Sequence, residues 1–145
     1  MAGIKGKNTK PEILVRKHLH AMGFRFRIHN VALPGRPDIV LAKYKSAIFV
    51  QGCFWHGHRS CSIFRLPKSR TGFWRDKIGG NLLRDEKSRD ELIRQGWKVI
   101  YVWECAIKGP GRLSEEELKL RISGGVRSGD INFTEVRGLL FQPAS

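Results

Sequence analysis

Residues 51–61 read QGCFWHGHRSC and crowd two cysteines, two histidines and two aromatic rings into one short stretch. Zinc takes four borderline-soft ligands, usually cysteine and histidine, in a tetrahedron. Cys53, His58 and Cys61 lie close enough for one loop to supply three of them. Cys105, at the end of the run WKVIYVWEC, offers a fourth that would tie the loop to a strand. Such a Zn²⁺ site uses every cysteine of the chain. The blander alternative is a buried core thiol at Cys105 beside two incidental ones. Five candidate ligands compete for four places, and spacing does not choose between His56 and His58, since Cys53-x2-His56 also closes a reasonable ring. The histidine left over would stand fixed beside a metal loop, where imidazole suits acid–base work. An exposed loop histidine is the plainer reading of the same spacing.

Three carboxylates could join this chemistry. Asp38 follows the stiff turn PGRP at the head of an apolar run, a sound place for a Mg²⁺ ligand, although capping a turn is the commoner use of such an aspartate. Glu12 falls in the first turn of a helix, where most glutamates simply favour the helix dipole. Asp85 lies within NLLRDEKSRD, whose charges mostly read as a solvated face. None of the three identifies a site alone.

The elements that must position these groups follow from punctuation and periodicity. Thr9 is suited to cap a helix over Pro11–Met22, with Ile13, Leu14, Lys17, Leu19 and Met22 on one mostly apolar face and Gly23 ending it. FRFRIHN alternates like a half-buried strand. DIVLAKYKSAIFVQG reads as two strands joined by a polar turn at Lys43–Ser46, and the cysteine loop follows. TGFWRDKIGGNLLRDEKSRDELIRQG reads as a long helix, weakened at Gly79-Gly80, and WKVIYVWEC as a buried strand. Ser114 and Glu117 open a last helix in a capping-box pattern. The tail from Gly124 carries turn residues and a short apolar run. The order α-β-β-β-α-β-α predicts one α/β domain over residues 1–145, a central mixed sheet flanked by helices.

Composition narrows the partner. The 145 residues carry 27 lysines and arginines against 13 acidic side chains, a net charge of +14, which favours a polyanion such as DNA. No basic amphipathic helix with an aromatic face suggests lipid, and no apolar run approaches the roughly 18 residues of a membrane span. MAGIKGKNTK lacks the apolar core of a secretory signal, so a cytoplasmic location is expected, where reduced thiols suit metal better than disulfides.

Taken in order, LPGRPDIV, QGCFWHGHRSC, FWRDKIGGNLLRD and WKVIYVWEC resemble the very short patch repair (Vsr) endonucleases of the PD-(D/E)XK nuclease superfamily, from GKNTKPE to the helix after Cys105. The resemblance implies a restriction-endonuclease-like fold with a structural zinc. It implies a Mg²⁺-dependent monomeric enzyme of the bacterial cytoplasm and nucleoid that nicks double-stranded DNA 5′ of the thymine in a T·G mismatch. Such mismatches arise from deaminated 5-methylcytosine, so a cytosine methyltransferase system and repair proteins are implied partners. By the same resemblance Asp38 is the central Mg²⁺ ligand, helped by the Val50 carbonyl. His56 activates water, Asp85 orients His56, and Glu12 is the acidic residue of the first helix. Cys53, His58, Cys61 and Cys105 hold zinc, which makes His56 the surplus histidine. Phe54, Trp55 and Trp74 match aromatics that wedge into DNA beside the mismatch.

Three departures accompany the match. Val50 and Gln51 stand where the superfamily usually has an acidic residue and a lysine, and Gln51 where a family member can carry histidine. The spacer between His58 and Cys61 is one residue longer than in another member. With only MAGIKGK before the first motif, a weaker grip on DNA is expected. A same-fold restriction or defence nuclease with a different target, and a zinc-stapled DNA-binding module without activity, are the alternatives.

Overall fold

The computed structural model describes residues 8–58, 61 and 66–139. The expectations attached to the first seven residues, to the spacer after His58 and to the last residues of the tail lie outside them.

Helix α1 spans Lys10–Ala21. Thr9 caps it: its Oγ1 accepts the Glu12 N–H at 3.3 Å, and Pro11 sits in the first turn, where a missing N–H costs nothing. The buried face matches the expected apolar one only in part: Leu19 is buried and Met22 packs on the core. Glu12, Val15, His18 and Leu19 are buried, whereas Ile13 stays exposed. Polar side chains tolerate that burial because they have partners: Glu12 meets His29, and His18 Nδ1 lies 4.0 Å from Glu115.

FRFRIHN yields only a two-residue strand, β1 (Arg27–Ile28), with both residues exposed. Phe24 and Phe26 pack into the core, and His29 leaves the ladder in a left-handed conformation, φ 54°. Strands β2 (Ile39–Leu41) and β3 (Ser46–Gln51) are joined by a 3₁₀ turn at Ala42–Tyr44. Helix α2 (Thr71–Arg94) runs unbroken through Gly79-Gly80, where a weak point was expected. Strand β4 (Lys98–Trp103) passes directly into a short helix α3 (Glu104–Ile107), so Cys105 sits in a helical turn just beyond the strand. Ser114 Oγ accepts the Glu117 N–H at 3.1 Å and caps α4 (Glu115–Arg127). The tail then supplies a fifth strand, β5 (Phe133–Val136).

The sheet order is β1-β2-β3-β4-β5, antiparallel through β3 and parallel from β3 to β5. Alternation along the strands divides the core in two. Ile48, Ile100 and Val102 meet Val15 and Leu19 of α1 and Ile122 of α4, while Ala47, Val99 and Tyr101 on the other face meet Leu92 of α2. Because β2 runs against β3, the start of β2 shares one end of the sheet with the carboxyl ends of β3 and β4. Ligands in open α/β sheets bind at such an end. Among the described residues, no helix is long and apolar enough to cross a membrane.

A methyl group at Gly79 would meet nothing within 4 Å. Gly79→Ala is therefore expected to stabilise the protein by about 0.5–1 kcal/mol, the usual gain of alanine over glycine inside a helix. Urea unfolding with an unchanged m-value would read it.

Candidate active site and metal centre

A cleft of about 740 Å³ opens at this end of the sheet, with Glu12, Asp38, Val50, His56 and Asp85 among its lining residues. Asp38 reaches it from the turn before β2. That turn presses on α2: Gly35 has φ +74°, and a Cβ there would fall 2.8 Å from Ser88 Cβ, so only glycine fits. The Asp38 N–H donates to the Ile48 carbonyl at 3.0 Å, and Asp38 Oδ2 accepts the Val50 N–H at 2.7 Å. The backbone of β3 thus fixes the carboxylate. Burial pushes its pKa up to about 6; the Val50 hydrogen bond opposes this, Glu12 adds to it, and His29 and His56 favour the charged form.

His56 comes from the irregular loop after β3. Its N–H donates to the Gly52 carbonyl at 3.2 Å, and its Nδ1 lies 2.5 Å from Asp85 Oδ2 on α2. Among the described residues the imidazole Nε2 has no hydrogen-bond partner. The Tyr101 hydroxyl, donating at 3.4 Å to the Asp85 carbonyl, ties this turn of α2 to the sheet. Two contacts hold the loop against α2: Asn81 Nδ2 donates to the Trp55 carbonyl at 2.8 Å, and Gly57 at φ +57° approaches so closely that a Cβ would meet Ile78 Cγ2 at 2.6 Å.

Behind the loop, one ligand atom from each of Cys53, His58, Cys61 and Cys105 lies within 4.8 Å of the other three. His58 Nδ1 is 3.5 Å from both Cys53 Sγ and Cys105 Sγ. Zinc bonds of about 2.0 Å to nitrogen and 2.3 Å to sulfur span a tetrahedral edge of roughly 3.5 Å, so the four residues fit that ion. The Cys105 N–H donates to Cys53 Sγ at 3.3 Å and the Gly138 N–H to Cys105 Sγ at 3.4 Å, the outer-shell support expected of thiolate ligands. Cys53 and Cys105 pull apart in acidity: a hydrogen bond from Cys53 lowers Cys105 to about 4, while the same contact and burial drive Cys53 upward. The His58 ring stacks on Trp103 at 3.8 Å and 4°. Of the two histidines that spacing left open, His58 joins the sulfurs and His56 faces the cleft.

Phe54, Trp55 and Trp74 gather as well. Their centroids are 5.0–5.7 Å apart, all edge to face, and all three rings are half-buried and outside both cores. Gln51 is 3 % exposed at the end of β3, and its amide oxygen has no hydrogen-bond partner among the described residues. Sequence reasoning missed two members of this region. Glu104 Oε1 accepts the Cys53 N–H at 3.1 Å and joins the cleft to the metal centre. His29 Nε2 lies 2.7 Å from Glu12 Oε2. Only strand register, which the sequence hides, would have pointed to His29.

A family model described as DNA mismatch endonuclease Vsr matches residues 1–62. The chain is 46% identical over 121 residues to the type II nicking enzyme V.XorIIP of Xanthomonas oryzae pv. oryzae, covering 83% of this chain and 86% of that protein. It is 53% identical over 108 residues to the type II nicking enzyme V.NmeAIP of Neisseria meningitidis serogroup A, covering 74% and 76%. Over 122 residues it is 42% identical to the DNA mismatch endonuclease Vsr of Escherichia coli K12, covering 84% and 78%. The solved catalytic domain of the homing endonuclease I-Bth0305I has a TM-score of 0.55 over 81% of this chain and 94% of that one; at 21% identity this is a likeness of fold.

Two outcomes follow from the geometry. Elemental analysis should find one zinc per chain, lost in Cys105→Ser, and a strong chelator should lower the melting temperature by about 10 °C or more. The second concerns Asp38, whose pKa in the fold is about 6 against 3.8 for the free group. The folded chain therefore holds this proton more tightly than the unfolded one. Ionised Asp38 costs stability above about pH 6, a cost relieved as pH falls toward 4, with a ceiling of roughly 3 kcal/mol. Without divalent metal at pH 7.5, Asp38→Asn is expected to stabilise the protein by about 1–2 kcal/mol, read by urea unfolding, with the gain shrinking toward pH 4.

Proposed function

The chain belongs to the DNA mismatch endonuclease Vsr family, and from that premise we propose that it nicks one DNA strand on the 5′ side of the thymine in a T·G mismatch. Membership makes it a DNA endonuclease; the mismatch and the position of the cut are the proposal. The observation that carries it is the 2.5 Å contact between His56 Nδ1 and Asp85 in the cleft that also holds Asp38.

Asp38 and the Val50 carbonyl would hold Mg²⁺, and the donors fit: oxygen from one carboxylate and one carbonyl, with room in the cleft for water. Bound there, the ion would polarise the phosphate and stabilise the leaving oxygen. His56 takes the proton of the attacking water at Nε2, and Asp85 fixes the ring for that task. This histidine supplies what the superfamily lysine, absent at Gln51, supplies elsewhere. Lys10, Arg36 and Lys108 line the same cleft and offer charge to the flanking phosphates. Glu12 adds the acidic residue of α1. The Phe54–Trp55–Trp74 cluster acts as the wedge, because a mispaired step costs less to unstack than a paired one. Zinc at Cys53, His58, Cys61 and Cys105 would staple the loop. One nick needs one such site, so a monomer suffices. A cytosine methyltransferase supplies the methylated base whose deamination creates the substrate, and repair proteins take up the nick in the bacterial cytoplasm.

A labelled duplex with one T·G mismatch, beside its T·A control, tests the reading in Mg²⁺ and in EDTA. A single Mg²⁺-dependent nick 5′ of the mismatched thymine is expected, reduced about 10²–10⁴-fold in His56→Ala. Equal cutting of both duplexes would replace the reading with a same-fold nuclease of another target. Binding without any cutting would replace it with a zinc-stapled DNA-binding module.

A further inference from the structure

We propose that Arg70, stacked on Phe73, clamps a backbone phosphate of the DNA strand beside the Phe54–Trp55–Trp74 wedge. The inference rests on the nicking reading above and adds to it the contact that holds the duplex while the rings enter.

Arg70 is the wrong residue for helix stability at the place it holds. It is the N-cap residue of α2, a position that favours a short side chain able to accept the orphan N–H groups of the first turn. No side chain caps this helix end, and its first turn carries no acidic residue. The neighbouring Thr71 hydroxyl is turned back onto the Pro67 and Lys68 carbonyls, 2.9 Å from each. A guanidinium there adds positive charge to the positive end of the helix dipole. Its backbone is also left-handed, φ 55°, which disfavours a residue bearing a Cβ. Residues 66–75 contain Lys68, Arg70 and Arg75 and no carboxylate, so this stretch of chain does not offset the charge. Local conflicts of this kind concentrate at functional positions. A phosphate would meet the uncapped N–H groups and the guanidinium together.

Phe73 supplies the second support. Its ring centroid is 4.4 Å from Arg70 Cζ, and the ring is 46 % exposed. So exposed a phenylalanine adds little to either core; here it holds a planar cation in one place. Among the described residues the guanidinium has no carboxylate partner, which leaves its forked donors to a ligand. A fork already oriented loses less freedom on binding than a mobile ammonium, and it matches a phosphate with two bonds.

Continuity locates the phosphate. Phe73 meets Trp74 edge to face at 5.2 Å, and Trp74 meets Phe54 and Trp55 at 5.5 and 5.7 Å. The four rings form one run from the half-buried cluster out to Phe73. The Arg70 guanidinium carbon therefore lies within about 10 Å of the Trp74 ring, no more than about three steps of roughly 3.4 Å along one strand. Inserted rings unstack bases, which opposes binding, and a charge-assisted phosphate contact a few steps away offsets that cost and fixes the register.

Binding of zinc-loaded protein to a labelled T·G duplex, with Mg²⁺ withheld so that nothing is cut, provides the test. Arg70→Asn removes the cation, and asparagine tolerates the positive φ. It should melt no lower than wild type, bind about 10-fold more weakly, and lessen the slope of log affinity against log salt by about 1. Phe73→Ala should weaken binding about threefold, and Phe73→Tyr should bind as wild type does. Once Arg70 is asparagine, Phe73→Ala should cost nothing more. Uncharged methylphosphonate linkages then replace the phosphates one at a time. Wild type should lose about 10-fold at one linkage within about three steps of the mismatch, where Arg70→Asn loses nothing further. Unchanged affinity in Arg70→Asn, a loss that no single neutral linkage cancels, or a loss matched by a lower melting temperature overturns the proposal and leaves the nicking reading standing. Wild-type protein that cuts T·G and T·A duplexes alike in Mg²⁺, or cuts neither, overturns the nicking reading, and this proposal with it.

Discussion

Three thiols and one imidazole held within 4.8 Å of one another constrain everything else at this end of the molecule. Thiolates that close repel unless a cation sits among them, and the hydrogen bond that keeps the proton on Cys53 while favouring the Cys105 thiolate moves their acidities in opposite directions. The residues between Cys53 and His58 have no regular structure of their own. Residues 53–57 are turns, and their shape comes from Cys53 and His58 at the ends and from α2 beneath. His56 lies three residues after one of these anchors and two before the other. Its 2.5 Å contact with Asp85 is therefore an outcome of the sulfur cluster as much as of the two side chains.

What the sequence made legible was whatever depends on local chemistry. Thr9 and Ser114 cap their helices because a hydroxyl before a first turn satisfies an orphan N–H wherever it occurs. Asp38 was legible because PGRP leaves the chain few conformations at the head of β2. The cysteine loop was legible by residue type, although spacing could not choose between its histidines; the fold chose by placing His58 over Trp103 and His56 over α2. What depends on distant partners stayed hidden. The inward face of α1 could not be read from hydrophobicity, because Glu12 is buried only with His29, and His29 arrives from another element. Strand β5 was missed because FTEV is short and half-exposed, and becomes a strand only by pairing with β4. FRFRIHN misled in the other direction: its two phenylalanines alternate like a strand yet fill the core beside one.

The site is assembled from locally unfavourable choices. Asp38 is a carboxylate in a place that disfavours its charge, Glu12 is buried, Gln51 has an unmatched amide oxygen, and Arg36 and His29 occupy left-handed backbone. Such conflicts concentrate where function demands them, and the rest of the fold must offset them. Here the offset is visible in the two apolar layers around β3 and β4, whose inward residues from Ala47 to Val102 are almost all fully buried. The contrast between a consistent sheet and an inconsistent sheet end distinguishes the site from ordinary surface as clearly as the cleft itself does.

Coupling between distortion and chemistry follows from which elements carry which groups. Phe54 and Trp55 directly precede His56 in the loop; Trp74 precedes Asp85 on α2 by 11 residues, about 16 Å along the helix. The aromatic cluster and the His56–Asp85 pair thus each draw on both the loop and the helix. Any shift of the loop against α2 loosens both at once, and the Asn81–Trp55 bond together with the Gly57–Ile78 approach is what resists it. A duplex that does not open to the rings would strain this shared junction and draw His56 away from Asp85. A duplex that accepts them would leave it as built. Discrimination by this proposed route would need no contact that reads the identity of a base: the energy of unstacking would be transmitted through one loop to His56.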